Sequence, residues 1–177
     1  MLENANLTPA PSDAAGLNKF VDVIKNMCGV DLESKKDMIK QRLINFCQAN
    51  GIPSFEALSS KVLVDRFMRQ EIVNLITTNE TYFYRELPQL QAAIYYAREE
   101  LDSVRILCAP CSTGDEAYSL GMLAHSNLLD VNRVSIVGVD INSEAIDSCK
   151  KGVYSERSLH RLNDNQKNIY FTKRDGK

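Results

Sequence analysis

The 177-residue chain has no tryptophan, only two histidines, and no apolar run long enough to span a membrane. Its start, MLENANLTPAPSDAAG, is polar and lacks the apolar core of a secretory signal peptide. The formal net charge is only -2, so the composition provides no basic field that would favour nucleic acid as a partner. These absences predict a cytoplasmic protein with no membrane insertion and no nucleic-acid partner.

The five cysteines do not match the spacing of a disulfide framework, which favours a reducing compartment. Cys108 and Cys111 form a C-x-x-C pair at a predicted strand end before a helix, which is also where a thioredoxin-like redox site would lie. Against that alternative, Asp115 and Glu116 follow at once and would raise the pKa of such a thiol. Zinc would need two further ligands at suitable spacing, so no metal site is predicted.

The first 86 residues are predicted to be a tail followed by helices. Residues 1–15 are small, polar and contain proline, which is typical of a disordered tail. Apolar residues then recur at helical spacing, which predicts a helical N-terminal domain and linking motif over residues 16–86. Helices are predicted over residues 17–28, 34–50, 53–60 and 64–76. The inward-facing residues of the second and fourth helices are predicted to be Met38, Ile39, Leu43, Ile44, Phe46, Phe67, Met68, Ile72 and Leu75.

The stretch from Val104 to Gly121 is predicted to be a buried strand, a turn of small residues and the start of a helix. A second apolar run, from Val134 to Val139, ends in Asp140 and leads into another helix. This alternation of strand and helix predicts an α/β domain over residues 87–177.

The turn after the first strand is the predicted ligand site, because a helix N-terminus leaves backbone N–H groups unpaired beside the strand end. One glycine and two acids disfavour a pyrophosphate there and favour a ligand with hydroxyls or positive charge. Asp140 follows Glu116 by 24 positions, near the spacing at which an acid holds a ribose diol in dinucleotide-type folds. A helix cap is the alternative role for Asp140.

Residues 77–86, TTNETYFYRE, fit neither the helical nor the strand period and predict a helix end followed by a turn. A segment that joins helices to an α/β module would lie over the strand ends, at the mouth of the predicted site. A further helix is predicted over residues 87–101. Neither His125 nor His160 has a context that predicts catalysis.

Four motifs follow one another along the chain: T-N-E-T-x-F-x-R at residues 78–85, C-S-T-G-D-E-A-Y-S at 111–119, G-V-D-I-N at 138–142 and K-G-V-Y at 151–154. In this order they resemble the motifs of the chemotaxis receptor glutamate methyltransferases. Each motif alone is weak, but their order behind a helical bundle is specific and covers the chain from Leu17 onward. The resemblance implies an N-terminal helical bundle followed by the first part of a Rossmann-like class I methyltransferase domain.

The resemblance also implies a protein-glutamate O-methyltransferase of chemotaxis signalling that uses S-adenosylmethionine and releases S-adenosylhomocysteine. Its protein substrates would be the cytoplasmic helices of methyl-accepting chemoreceptors. Carried over by motif position, the cofactor-binding residues are Asn79, Thr81, Arg85, Glu116 and Asp140. Arg85 can form a two-bond fork with the methionine carboxylate of the cofactor, and a surface ion pair with a nearby acid is the alternative.

This chain departs from the family pattern at Asp115, where the family has glutamate, and at Asn142, where a second aspartate is common. Asp140 is therefore favoured as the residue that holds the ribose. Transfer of a methyl group from a sulfonium to a carboxylate neutralises both charges and needs no strong base, so no catalytic residue is predicted.

Two evident strands cannot bury both faces of a sheet or satisfy its edges. The chain is therefore expected to be a fragment of a longer enzyme, and the alternative is a binding module without turnover. By resemblance, a small receptor-docking β insertion is expected to start within residues 169–177. Exposed strand edges also favour self-association.

Overall fold

A computed structural model describes residues 14–100, 102–127 and 129–174. They form two compact units that divide between Thr77 and Thr78. Residues 78–86, predicted to form one domain with the N-terminal helices, therefore lie in the second unit. Of the predicted tail, residues 1–13 lie outside the described residues, whereas Ala14 and Ala15 begin the first helix. No helix in the described ranges is both long and apolar enough to cross a membrane.

The first unit is built from helices, as predicted. In its described residues these are α1 (Ala14–Cys28), α2 (Lys36–Ala49), α3 (Phe55–Val64) and α4 (Arg66–Ile76), and a 3-10 turn at Glu33–Lys35 precedes α2. Ser54 begins α3, because its side chain accepts a hydrogen bond from Ala57 N–H at 3.1 Å. Asp65 ends α3 and caps α4 by accepting from Phe67 N–H at 2.8 Å. The third helix therefore runs four residues beyond its predicted end at residue 60.

One face of each helix forms the core of this unit, with Phe20, Ile24, Leu43, Leu58 and Ile72 fully buried.

Two residues predicted to face that core do not. Met38 is 59% exposed and Phe67 is 69% exposed, so the prediction is wrong at both. Met38 is adjacent to the buried Ile39, and neighbouring residues point in different directions on a helix. The ring of Phe67 is instead covered by the guanidinium of Arg66, which lies 4.8 Å from its centroid.

The second unit contains α5 (Leu87–Glu100), β1 (Val104–Cys108), α6 (Asp115–Ser126), β2 (Val134–Gly138), α7 (Ser143–Lys151) and α8 (Asp164–Tyr170). The two strands are parallel, in a register that pairs Val104 with Val134 and Cys108 with Gly138. Helix α6 is the crossover between them, which confirms the predicted α/β class. A β insertion was expected to start within residues 169–177, but the described part of that range shows no strand, since α8 extends to Tyr170 and residues 171–174 have no regular secondary structure. Residues 175–177 lie outside the described residues.

The sheet is buried on one face only. Cys108 is buried in a cluster with Leu120 and Leu123 of α6, and Val104 is also buried. Leu107, predicted to lie in a buried strand, is 65% exposed. Successive side chains alternate between the two faces of a strand, so Leu107 projects from the uncovered face.

Candidate functional site

The loop between β1 and α6 is fixed to the end of β2 by backbone hydrogen bonds. Cys111 N–H donates to Val139 O at 2.9 Å, and Val139 N–H donates to Cys108 O at 3.0 Å. Gly138 permits this close approach, because a Cβ atom there would lie 2.9 Å from Cys111 Sγ. The carboxyl ends of both strands and the turn therefore form one hydrogen-bonded corner.

Asp140 organises this corner with both carboxylate oxygens. Oδ2 accepts from Ser112 N–H at 2.7 Å, and Oδ1 accepts from Asn142 N–H at 2.8 Å. The side-chain cap of α7 is Asn142, whose Oδ1 accepts from Ala145 N–H at 2.9 Å, so capping α7 is not the role of Asp140. An ionised carboxylate has about four lone-pair sites, so Asp140 keeps acceptor capacity for ligand hydroxyls.

Two buried polar atoms near the start of α6 have no hydrogen-bond partner within the described residues: Ser112 Oγ and Asp115 Oδ1. Asp115 is fully buried, and its Oδ2 accepts from Thr113 Oγ1 at 2.5 Å. Burial raises the pKa of this carboxyl group. Unsatisfied buried polar groups are uncommon in folded proteins, so these two atoms make the turn an unusually polar environment. The remaining acceptor capacity of Asp140 beside this turn fits the ribose hydroxyls of a nucleoside cofactor such as S-adenosylmethionine.

Glu116 is exposed and lies near the two cysteines of the corner. Burial, and then the charge and hydrogen bond of Glu116, raise the pKa of Cys108 to about 11. Burial, followed by Cys149, Asp140 and Glu116, raises the pKa of Cys111. Glu116 and Asp140, the two acids predicted to bind the ligand, thus both lie close to the turn that contains Cys111. Raised thiol pKa values also oppose the redox alternative, which requires a readily formed thiolate.

The linking motif packs against the segment that follows α7. Phe83 is fully buried, and its N–H donates to Ser158 O at 3.0 Å. Its ring meets the edges of Tyr154 and Phe171 at centroid distances of 4.8 and 5.1 Å. The KGVY motif thus contributes Tyr154 to the core beneath the linking motif.

The same motif is hydrogen-bonded to the start of α6. Tyr84 N–H donates to Ser119 Oγ at 3.0 Å, and the Ser119 hydroxyl donates to Asp115 O at 2.6 Å. The Tyr154 hydroxyl donates to Thr113 O at 2.7 Å. The linking motif is therefore adjacent to the β1–α6 corner, as the sequence predicts.

Asn79 and Thr81 line a cavity of about 520 Å³ that the sequence did not predict. Its lining residues are Thr78, Asn79, Glu80, Thr81, Tyr82, Arg157, Ser158 and His160. Arg85 is not among them and is exposed, and its Nη1 donates to Glu80 O at 2.7 Å. Glu116 and Asp140 are also absent from the described lining. Of the five predicted residues, Glu116 and Asp140 thus lie at the corner and Asn79 and Thr81 at this cavity, whereas Arg85 lines neither and contacts the backbone of Glu80.

The sequence did not point to Arg157 and His160, which also line this cavity, because no motif marks them. The sequence assigned His160 an ordinary surface or core role, and Arg157 lies three residues beyond the KGVY motif. The only available signal was their short distance along the chain from that motif.

Residues 79–177 match the family model described as "CheR methyltransferase, SAM binding domain", and residues 15–77 match "CheR methyltransferase, all-alpha domain". The chemotaxis protein methyltransferase of Campylobacter jejuni is 40% identical over 161 residues, covering 91% of this chain and 61% of that protein. Chemotaxis protein methyltransferase 2 of Vibrio cholerae is 29% identical over 170 residues, covering 88% and 58%. The Salmonella typhimurium relative is 28% identical over 166 residues, covering 92% and 58%.

The chain thus spans about three fifths of the length of these relatives. The two family matches confirm the predicted order of an all-helical region followed by an S-adenosylmethionine-binding domain. S-adenosylmethionine is the cofactor of this family of domains, as the sequence predicts. Together with the β1–α6–β2 corner, these matches show that the chain belongs to the CheR methyltransferase family.

Proposed function

We propose that this chain binds S-adenosylmethionine and takes part in methylating glutamate side chains on the cytoplasmic helices of chemoreceptors. The observation that carries the proposal is Asp140, which fixes the β1–α6 turn through Ser112 N–H and retains acceptor sites for ribose hydroxyls. The relatives named chemotaxis protein methyltransferases support the choice of substrate class. The cofactor supplies a methyl group on a positively charged sulfur.

Each proposed cofactor-binding residue has a distinct task. Asp140 accepts hydrogen bonds from the ribose hydroxyls. Asn142 is not assigned to the ribose, because its side chain caps α7. Glu116, exposed in the first turn of α6, provides a negative charge for the cationic part of the cofactor. Asn79 and Thr81 provide neutral hydrogen-bonding groups in the cavity, and Arg85 provides a cation beside it.

No general base is assigned, since transfer from a sulfonium to an ionised carboxylate neutralises both charges. The chain's own residues would accelerate such a transfer by aligning the reactants and excluding water. Well-oriented reactions gain about 7–11 kcal/mol in this way.

The test is isothermal titration of the chain with S-adenosylmethionine and S-adenosylhomocysteine. Wild type is expected to bind both, and Asp140→Ala is expected to weaken binding by about 1.5–3 kcal/mol, as for hydrogen bonds to a charged group. Asp147→Ala, which removes an exposed carboxylate from α7, is the matched control and should bind like wild type. Failure of the wild-type chain to bind either compound would refute the proposal.

A second measurement separates an enzyme from a binding module. Tritiated S-adenosylmethionine is incubated with the chain and chemoreceptor membranes, and label on receptor glutamates is counted. Transfer supports the full proposal, whereas tight binding without transfer assigns this chain the role of a cofactor-binding module.

A further inference from the structure

Three large apolar side chains are exposed where α3 meets α4. Leu63 is 54% exposed, Val64 is 86% exposed and Phe67 is 69% exposed. Their neighbour Val62 is fully buried in the core of the first unit, so the segment already contributes to that core. Single exposed apolar residues are common, but a group of neighbours marks an interaction surface. Residues 61–69, here named the α3–α4 corner, are therefore a candidate for such a surface.

The same corner carries cations beside the apolar side chains. Lys61 and Arg66 are exposed, and neither takes part in an ion pair within the described residues. The Arg66 guanidinium lies 4.8 Å from the centroid of the Phe67 ring, so a cation is next to the largest apolar group. An apolar surface beside such cations matches a partner that is negatively charged at its surface and apolar beneath it.

Asp65, the one acid in the sequence of the corner, does not cancel these cations. Its Oδ1 accepts from Phe67 N–H at 2.8 Å and from Met68 N–H at 3.2 Å. It therefore caps α4, and its charge is balanced by the positive end of that helix. The corner thus presents a positive surface, although the whole chain has a net charge of -2.

Arg69 fixes the shape of the corner. Its Nε donates to Val62 O at 3.0 Å, and its Nη2 donates to Leu63 O at 2.7 Å. These bonds satisfy carbonyl groups at the C-terminal end of α3 and hold that end against α4. Arg69 is therefore a positioning residue, and the apolar side chains are presented by hydrogen-bonded backbone.

The exposure of Val64 indicates what kind of partner fits. A side chain that is 86% exposed protrudes from the surface, so its partner must have a matching recess or be deformable. The interfacial region of a lipid bilayer accepts apolar side chains without a matching shape, and anionic headgroups attract lysine and arginine. Long cationic side chains reach the headgroups while their apolar neighbours lie deeper. Shape and charge together favour a lipid surface over a protein groove.

We propose that the α3–α4 corner docks on an anionic lipid surface. Leu63, Val64 and Phe67 enter the headgroup region, and Lys61 and Arg66 donate to lipid phosphates. The contact is peripheral, because α3 and α4 have 10 and 11 residues, too few to cross a bilayer. The inference goes beyond the proposed function, since it concerns a surface of the first unit and needs no cofactor.

The test is co-sedimentation of the chain with lipid vesicles. One set contains equal amounts of phosphatidylglycerol and phosphatidylcholine, and the other contains phosphatidylcholine alone. Wild type is expected to bind the anionic vesicles more tightly, and added salt should weaken this binding because it screens the charges. Arg66→Gln is expected to lower the affinity for anionic vesicles about 5-fold, and Phe67→Ser about 10-fold. Circular dichroism checks that each variant is folded.

Two matched variants test whether the corner itself makes the contact. Arg42→Gln removes an exposed arginine from α2, and Tyr96→Ser removes an aromatic side chain from α5 that is 61% exposed. Both should bind the anionic vesicles like wild type. Equal losses for Arg66→Gln and Arg42→Gln, or for Phe67→Ser and Tyr96→Ser, would overturn the inference.

Failure of the wild-type chain to bind anionic vesicles, or equal binding to both vesicle types, would also overturn it. If wild type bound no vesicles and Phe67→Ser reduced its self-association in sedimentation velocity, the corner would instead be assigned to a second copy of the chain. None of these outcomes bears on the proposed function, because the vesicle test contains no S-adenosylmethionine.

Discussion

At the scale of single residues, Asp115 is the one acidic residue that is buried in the described part of the chain. It is fully buried at the start of α6, and burial raises its pKa above the ordinary value of 3.8. The folded protein therefore holds a proton that the unfolded chain has already released as the pH rises above this value. Because the folded state binds more protons in that window, its stability falls as the pH increases.

Asp115→Asn is expected to remove this part of the pH dependence, since the amide carries no charge and its oxygen can still accept from Thr113. The free energy of unfolding is measured with urea from about pH 4 to about pH 7. Wild type should lose stability relative to the variant as the pH rises. Asp147→Asn, at an exposed position, should keep the wild-type slope. Parallel profiles for wild type and Asp115→Asn would contradict the prediction.

The sequence predicted the position of Asp140 but not the burial of Asp115. The spacing from Glu116 to Asp140 is a property of the chain and can be read directly. In contrast, Asp115 and Glu116 are adjacent acids that look alike in the sequence, although one is buried and the other exposed. Their difference depends on what packs against the first turn of α6, which is decided by the linking motif 35 positions before Ser119.

At the scale of elements, the start of α6 depends on the absence of a side chain at Gly114. This residue has φ of 89°, and a Cβ atom there would overlap Cys149 Sγ and lie 3.1 Å from Tyr118 Cε2. Gly114 therefore permits both the left-handed turn and the close packing of α7 on the loop. The sequence indicated a permissive turn here, but it could not show that α7 fills the space.

Gly114→Ala is expected to destabilise the second unit more than Gly152→Ala does. Gly152 also has positive φ, 61°, but nothing lies within 4 Å of its added Cβ, so that variant measures the backbone cost alone, about 1–2 kcal/mol. Overpacking should add about 1–3 kcal/mol at Gly114. Urea unfolding monitored by tyrosine fluorescence measures the difference, and equal losses in the two variants would show that the packing is not tight.

The spacing of apolar residues predicted that the helices exist, but it predicted their buried faces and their ends less well. Ser54 caps α3 through a local contact with Ala57 N–H, three residues further along the chain. The continuation of α3 to Val64 was not predicted, because α3 ends where Asp65 caps the next helix. Phe67 is apolar and was therefore predicted to face the core, but the guanidinium of Arg66 lies over its ring at the surface. The spacing of apolar residues does not indicate a contact of this kind.

At the scale of the whole molecule, the described sheet has one covered and one uncovered face. Leu107 of β1 pairs with Val137 of β2 in the parallel register, and they are 65% and 52% exposed. Beyond the strand, Val139 is 45% exposed. The apolar residues of these segments predicted buried strands. An apolar run indicates only that a strand face is stabilised by burial. It does not indicate whether another element among the described residues packs against that face.

We expect this apolar face, together with the open strand edges, to make the chain self-associate. Sedimentation velocity over a wide range of concentrations should show a coefficient that rises with concentration for wild type. Val137→Lys should reduce that rise, because a charge on the uncovered face opposes burial against a second copy. Val64→Lys is the matched control, since Val64 is 86% exposed on α3 and outside the sheet, and it should behave like wild type. A constant monomer coefficient for wild type, or an equal reduction by both substitutions, would exclude association through this face.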